Sequence, residues 1–143
     1  MEQHIYKTGE FEFTYIGRLP EGITLRNHIH PIGATELAME LPKHDVYITA
    51  SIEEAGANHV LESLAAGLPV VYHSHGGSIN NYCHNYGAEY LTFDGLLGSI
   101  RQVVSNYKDL KSTVLSYDRD NTVVVNKYIK LIERIGSGKQ DKH

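Results

Sequence analysis

The spacing of apolar and polar residues along the chain predicts four β-strands. Residues 11–17 (Phe-Glu-Phe-Thr-Tyr-Ile-Gly) alternate between the two classes and are rich in residues that favour strands. Residues 69–73 are nearly all apolar, which is typical of a strand covered on both faces. Two further strands are predicted at 45–50 and 88–93.

Segments with apolar residues at helical spacing lie between and after these strands. Thr35 is predicted to cap the first helix and Pro42 to stop it. Residues 18–31 contain two prolines and a glycine and are predicted to form a long connection. The predicted helices span 36–41, 58–66, a short segment ending near 86, 96–106, 109–115 and 122–135. Strands that alternate with helices predict an α/β fold with a mainly parallel sheet.

Length and composition fit one globular domain. The chain has 143 residues, of which 41% are hydrophobic and 21% charged, so it can bury a core and is not disordered throughout. We predict a lead-in at 1–10, an α/β domain at 11–136 and a flexible polar tail at 137–143.

Charge and targeting signals narrow the range of partners. The net charge of -4 argues against nucleic acid as a partner. The apolar runs are too short to span a bilayer, and the first residues lack the pattern of a signal peptide. The single cysteine, Cys83, cannot form an internal disulfide, which suits a reducing compartment. We therefore expect a cytoplasmic protein without a membrane span.

The loop between the strand predicted at 45–50 and the helix predicted at 58–66 is the strongest candidate for a ligand site, because ligands bind at the carboxyl ends of parallel strands. Gly56 lets the backbone approach a ligand, and the N–H groups around Ala57, Asn58 and His59 point out of the helix start. The helix dipole would stabilise a diphosphate there.

Two glutamates accompany this loop. Glu54 lies just before the helix, and Glu62 lies about two turns into it, where its carboxylate can accept hydrogen bonds from ribose hydroxyls. Taken singly, each has an ordinary structural explanation. A glutamate at a helix start complements the dipole, and one in mid-helix usually faces solvent.

The segment 54–71, Glu-Ala-Gly-Ala-Asn-His-Val-Leu-Glu-Ser-Leu-Ala-Ala-Gly-Leu-Pro-Val-Val, resembles the signature of glycosyltransferase family 4 and the other glycosyl transferases of group 1. The resemblance continues upstream in Glu-Leu-Ala at 36–38 and Asp-Val-Tyr-Ile-Thr-Ala-Ser at 45–51. It continues downstream in Gly76-Gly77. Residues from about 11 to 135 can be aligned with the C-terminal domain of that family.

This resemblance implies a fold and an activity. The fold is the Rossmann-like C-terminal half of the GT-B fold, in which two such domains face each other across a cleft. The activity is that of a hexosyltransferase-like enzyme, which transfers a sugar from a UDP- or GDP-linked donor with retention at the anomeric carbon. The family normally needs no metal or other cofactor.

The resemblance also implies roles for individual residues. Glu54 would contact the donor sugar at the reacting centre, and Glu62 would hold the ribose. The backbone of Gly56, Ala57 and Asn58 would face the diphosphate. His59, beside this loop, is a further candidate for ligand contact.

The chain departs from the family pattern in ways that affect these roles. Ala-Gly-Ala at 55–57 replaces the commoner Gly-Phe-Gly, and Glu53 precedes Glu54. Gly17-Arg18 imitates the start of the family's diphosphate-binding basic loop, but no Lys-Gly follows. Gly17 is only 37 residues before Glu54. Gly17 and Arg18 therefore match a later loop, which reaches the nucleoside base.

From these departures we expect that the chain begins inside the domain and lacks the basic loop and the acceptor-binding domain. The fragment would then be inactive alone. One alternative is a free-standing Rossmann-like module that binds a nucleotide or sugar without catalysis. Another, a sugar-nucleotide epimerase, is disfavoured by the Ala-Ala-Gly-Leu-Pro-Val-Val run after the paired glutamates.

Histidines and the cysteine suggest other chemistry only weakly. His28 and His30 alternate along the chain, as do His73 and His75, but a stable metal site needs three or four ligands. The sequence shows no third ligand beside either pair, so no metal site is expected. Cys83 has no activating neighbour and is predicted to be a buried, unreactive thiol.

Overall fold

A computed structural model describes residues 1–117, 126 and 129–133 of the chain. Within residues 1–117, the chain forms five short strands, six α-helices and one 3₁₀ turn. The strands are β1 (Tyr15–Ile16), β2 (His28–Ile29), β3 (Tyr47–Ile48), β4 (Val70–His73) and β5 (Gly87–Tyr90). The helices are α1 (Glu2–Tyr6), α2 (Ala34–Glu40), α3 (Asn58–Ala65), α4 (Ser78–Cys83), α5 (Phe93–Ser105) and α6 (Tyr107–Leu115), with the 3₁₀ turn at Leu41–Lys43. The predicted α/β class is confirmed.

The strands form two parallel sheets. One contains β1 and β2, and the other has the order β3-β4-β5. Tyr47 is in register with Val70, and Val71 with Ala88. β1 and β3 each pair on one side only, and they are not hydrogen-bonded to each other.

The central strand β4 carries the core. Val70 and Tyr72 pack against α3, α4 and α6, whereas Val71 faces the other side and packs against α1 and α5. This alternation follows from the two-residue period of a strand. Val70 and Val71 are fully buried, as the apolar run at 69–73 predicted.

Two elements lie where none was predicted. Residues 18–31 are not a continuous connection, because His28–Ile29 pairs with β1 and the Asn27 carbonyl accepts from the Tyr15 N–H at 2.9 Å. Residues 1–10 contain α1, whose Ile5 is 1% exposed and belongs to the core beside α5. Both elements are too short to have a periodic pattern, and their partners are distant in sequence.

Several boundaries also differ from prediction. Thr35 does not cap α2, because the helix begins at Ala34 and the Gly33 N–H donates to the Glu36 carboxylate at 3.0 Å. Pro42 lies within the 3₁₀ turn, which continues directly from α2. β5 ends at Tyr90, since Thr92 caps α5 by accepting from the Gly95 N–H.

The C-terminal predictions are covered only in part. Of the helix predicted at 122–135, residues 126 and 129–133 are described, and they are helical. The rest of that helix and the tail predicted at 137–143 lie outside the described residues. In the described part of the chain, no helix has the length and apolar character needed to cross a membrane.

Candidate functional site

The loops that follow β3 and β4 are joined at the carboxyl ends of these strands. Glu54 and Gly77 form a parallel β-bridge. The Glu53 N–H donates to the His75 carbonyl at 2.8 Å, and the Glu54 carbonyl accepts from both the N–H and the hydroxyl of Ser78. The bridge fixes the segment leading into α3 against the start of α4.

Gly77 is the residue that permits this contact. Its φ of +69° lies in the left-handed region, and a Cβ at this position would lie 2.8 Å from the Glu54 carbonyl oxygen and 2.9 Å from its nitrogen. Such approaches exclude any side chain. Opposite it, Glu53 has a φ of 54°, which is costly for a residue with a Cβ.

A small hydrogen-bond network links Glu54 in the loop, His59 on α3 and Tyr47 on β3. His59 Nε2 lies 3.0 Å from Glu54 Oε2, and His59 Nδ1 lies 2.9 Å from the Tyr47 hydroxyl. The hydrogen bond from His59, and then one from Ser51, lowers the pKa of Glu54. Glu54 is therefore ionised at neutral pH.

The Tyr47 hydroxyl determines which groups donate and which accept in this network. Burial, followed by the charges of Glu62 and Glu54, raises the pKa of Tyr47 to about 12, so its hydroxyl keeps its proton. The hydroxyl can then donate a hydrogen bond to His59 Nδ1. In the tautomer that accepts it, the Nε2–H of His59 donates a hydrogen bond to Glu54 Oε2.

The start of α3 is open at two of the positions that the sequence indicated. Gly56 and Asn58 are exposed, and a Cβ on Gly56 would meet nothing within 4 Å. The backbone N–H groups of Asn58 and His59 have no hydrogen-bond acceptor among the described residues. Ala57, by contrast, is fully buried and packs with Val60, so its backbone is closed to solvent.

Glu62 is exposed on α3, and its carboxylate has no hydrogen bond or ion pair to any described residue. It lines a cleft of about 1110 Å³ together with Gly17, Tyr47 and His59. Three of the residues indicated by the sequence therefore share one cleft. Glu54 is not part of the cleft wall, and it is connected to the wall by its hydrogen bond to His59.

Gly17 and Arg18 lie at the carboxyl end of β1. The Gly17 N–H donates to the Ile29 carbonyl at 3.0 Å, and its carbonyl lies 2.7 Å from His28 Nε2. The Arg18 carbonyl accepts from the Tyr15 hydroxyl at 3.1 Å, and its side chain is exposed. Gly17 belongs to the cleft wall, whereas Arg18 does not.

Sequence reasoning missed Tyr47 and the role of His59 as a bridge. Tyr47 is one of ten tyrosines, and nothing in its local pattern distinguishes it from the others. The available signal was its position on the strand whose following loop opens the candidate helix. Ser51, which supports the ionised form of Glu54, has the same signal.

The two rings of each histidine pair meet edge to face. The ring centroids of His28 and His30 are 4.7 Å apart, and those of His73 and His75 are 5.5 Å apart. Among the residues that the structure covers, no three His, Cys, Asp or Glu side chains come together as a metal site would require. Cys83 is buried, as predicted, and burial raises its pKa to about 12, which keeps the thiol protonated at neutral pH.

Comparison with known families adds independent evidence. Residues 2–110 match the family described as glycosyl transferases group 1. No significant match was found among curated proteins or among solved structures. The matched residues include both sheets, α3 and the two glutamates at 54 and 62, and they cover most of the chain. The chain belongs to the glycosyl transferases group 1 family.

Proposed function

We propose that this chain is the donor-binding domain of a retaining glycosyltransferase and that it binds a UDP- or GDP-linked sugar at the start of α3. The observation that carries the proposal is an open helix start at Gly56 and Asn58, followed about one turn later by an exposed Glu62. Glu62 has no partner among the described residues and shares a cleft wall with His59. Family membership supports glycosyl transfer in general. Retention of anomeric configuration rests on the resemblance of residues 54–71.

The diphosphate is proposed to lie against the amides of Gly56, Asn58 and His59. These residues are exposed or half-buried, and the positive end of the α3 dipole lies behind them. Glu62 lies four residues beyond Asn58, a rise of about 6 Å along the helix axis. That offset suits a ribose attached to the diphosphate, whose hydroxyls would donate to the free carboxylate.

Glu54 is proposed to contact hydroxyls of the donor sugar. One of its oxygens is already bonded to His59, but an ionised carboxylate can accept further hydrogen bonds. The bridge to Gly77 and the bond to His59 would hold this carboxylate in place before the donor arrives. No metal is required in this scheme, because the helix start provides the positive field.

The side of the cleft that binds the base is assigned to Gly17 and Arg18. Gly17 lines the same cleft as His59 and Glu62 of α3, and Arg18 continues the Gly17 loop with an exposed side chain. We further propose that residues 1–143 bind the donor weakly and transfer nothing alone. Weak binding is expected because Glu53, Glu54 and Glu62 add negative charge near the diphosphate.

Calorimetry with UDP, GDP and ADP tests the proposal. The wild-type chain should bind at least one of them, and Glu62→Ala should weaken that binding by about tenfold or more, the usual loss for a charged hydrogen bond. Glu89→Ala is the matched control, since Glu89 is an exposed glutamate on β5 and outside the cleft wall. The proposal fails if no nucleotide binds, or if the two variants bind equally.

A further inference from the structure

Tyr47 joins the candidate site to the hydrophobic core. Its N–H donates to the Pro69 carbonyl at 2.9 Å, and it is in register with Val70 of the central strand. Its ring packs against the buried cluster that contains Val60 and Val70. Because interiors are closely packed, both the backbone and the ring of Tyr47 are fixed by the fold, and its hydroxyl has a defined position.

Glu54, by contrast, lies in a segment with little packing around it. Residues 52–53 and 55–56 on either side are exposed, and the Glu54 side chain is itself 28% exposed. A glutamate side chain has three rotatable bonds, so a carboxylate without a fixed partner samples several positions. The β-bridge to Gly77 fixes the backbone of Glu54 and leaves these side-chain bonds free.

His59 connects the fixed hydroxyl to the carboxylate. Its Nδ1 lies 2.9 Å from the Tyr47 hydroxyl, and its Nε2 lies 3.0 Å from Glu54 Oε2. The two nitrogens belong to one rigid ring, so fixing Nδ1 also fixes the direction in which Nε2 points. An ionised carboxylate can only accept a hydrogen bond, which places a hydrogen on Nε2. Tyr47 and His59 have only two side-chain rotations each, so together they form a stiff connection from the core to Glu54.

The other groups near this connection do not replace it. Ser51 also hydrogen-bonds to Glu54, but it lies in the same loop and so does not tie the carboxylate to the core. Glu62 and Tyr15 act on Tyr47 electrostatically, and among the described residues neither is hydrogen-bonded to it. Two basic side chains of the cleft wall are bonded to a carboxylate of α2, namely Lys43 and His44 to Glu40.

We propose that Tyr47 is a positioning residue for donor binding, which holds the Glu54 carboxylate in one rotamer through the ring of His59. Its effect falls on the sugar half of the donor, because Glu54 is the group assigned to the sugar hydroxyls. The nucleotide half is assigned to Glu62 and the start of α3. The effect on binding rests on the proposed function, whereas the rotamer can be measured without a ligand.

Side-chain couplings in the ligand-free chain test whether Glu54 is held in place. Three-bond couplings across its Cα–Cβ bond should report one rotamer in the wild type. Tyr47→Phe and His59→Ala should each move these couplings towards the averaged values of a freely rotating glutamate. In Tyr47→Phe, the Nδ1 signal of His59 should also move towards that of a ring nitrogen without a hydrogen bond.

Tyr82→Phe is the matched control for the loss of a hydroxyl. Tyr82 packs against the same core cluster as Tyr47, and its hydroxyl has no hydrogen bond to a described residue. This variant should leave the Glu54 couplings and the His59 signal as they are in the wild type. Melting curves show whether each variant is folded. Since His59 is only half-buried, His59→Ala keeps the test available should Tyr47→Phe unfold.

Binding of nucleotides and of sugar nucleotides separates positioning from direct contact. The probe is UDP-glucose or GDP-mannose, whichever binds more tightly, and it is compared with UDP or GDP. Tyr47→Phe should weaken the sugar nucleotide by about fivefold, the loss of about one hydrogen bond, and change the nucleotide by less than about twofold. Added to His59→Ala, Tyr47→Phe should have no further effect, because the connection is already broken.

Three results would overturn the proposal. One is that the Glu54 couplings are already averaged in the wild type, or that Tyr47→Phe leaves them unchanged. Another is that Tyr47→Phe weakens nucleotide and sugar nucleotide equally, or weakens neither. The third is a further loss when Tyr47→Phe is added to His59→Ala, which would show that Tyr47 does not act through His59. Absence of all nucleotide binding would refute the proposed function instead, and the couplings would still decide whether Tyr47 positions Glu54.

Discussion

Glu54 and Gly77 are joined as a parallel β-bridge, through which the loop before α3 is held against the loop before α4. The bridge places the Glu54 carboxylate beside His59 and keeps the start of α3 in a fixed position. The geometry of the candidate site therefore depends on Gly77, although Gly77 has no side chain that could bind a ligand.

Replacing Gly77 by alanine should be strongly destabilising. The new Cβ would lie 2.8 Å from the Glu54 carbonyl oxygen at a φ of +69°. Left-handed strain and overpacking together should lower the free energy of unfolding by about 2–4 kcal/mol in urea titrations. Gly56→Ala is the control, because its Cβ would meet nothing within 4 Å, and it should change stability by less than about 0.5 kcal/mol. Equal stabilities for the two variants would show that the bridge is not constrained as described.

Removing the His59 ring should raise the pKa of Glu54. The hydrogen bond from His59 is the largest cause of the lowered pKa, so His59→Ala should move the carboxyl back towards its usual range. Carbon-detected NMR titration of the glutamate side chains measures this directly. His75→Ala, which removes a ring that does not contact the Glu54 side chain, should leave the Glu54 pKa in place. An unchanged Glu54 pKa in His59→Ala would contradict the hydrogen-bond network that links Glu54, His59 and Tyr47.

Ionisation of Tyr47 should lower the free energy of unfolding at high pH. Its pKa is raised to about 12 in the folded chain, above the value of about 10 for an unfolded tyrosine. The resulting contribution to stability is complete below pH 10 and is lost as pH rises towards 12. Urea unfolding from pH 9 to pH 12 should show a smaller loss for Tyr47→Phe than for the wild type. A Tyr47→Phe curve parallel to the wild-type curve would refute the assignment.

An alanine at position 98 should stabilise the chain. Gly98 is an exposed residue in the interior of α5, and a Cβ there would meet nothing within 4 Å. Alanine is favoured over glycine in a helix interior by about 1 kcal/mol. Thermal unfolding should therefore show a higher melting temperature for Gly98→Ala. A lower one would mean that α5 is not a regular helix at this point.

Elements with strong local patterns were predictable from the sequence. The helix predicted at 58–66 is found at Asn58–Ala65, and the strand predicted at 69–73 is found at Val70–His73. Their apolar spacing and the glycine between them carry the necessary information. By contrast, β2 and α1 exist because of partners distant in the sequence, namely β1 and α5, which a local pattern does not reveal.

The proximity of the candidate site residues was predictable in part, whereas their contacts were not. The sequence indicated Glu54, His59 and Glu62, and the structure places His59 and Glu62 on one cleft wall with Glu54 bonded to His59. The link to Tyr47 spans twelve residues and depends on how α3 packs on β3. Burial of Ala57 likewise follows from packing against the core, which spacing alone does not determine.

Chemical shifts measured during titrations with UDP and, separately, GDP show whether a nucleotide binds at the start of α3. One of these nucleotides should shift the amides of Gly56, Asn58 and His59 and the side-chain carboxyl of Glu62, with smaller changes elsewhere. Glu62→Ala should weaken the titration, whereas Glu89→Ala should not. Shifts confined to residues away from α3, or none with either nucleotide at millimolar concentration, would contradict a nucleotide-sugar site at the start of α3.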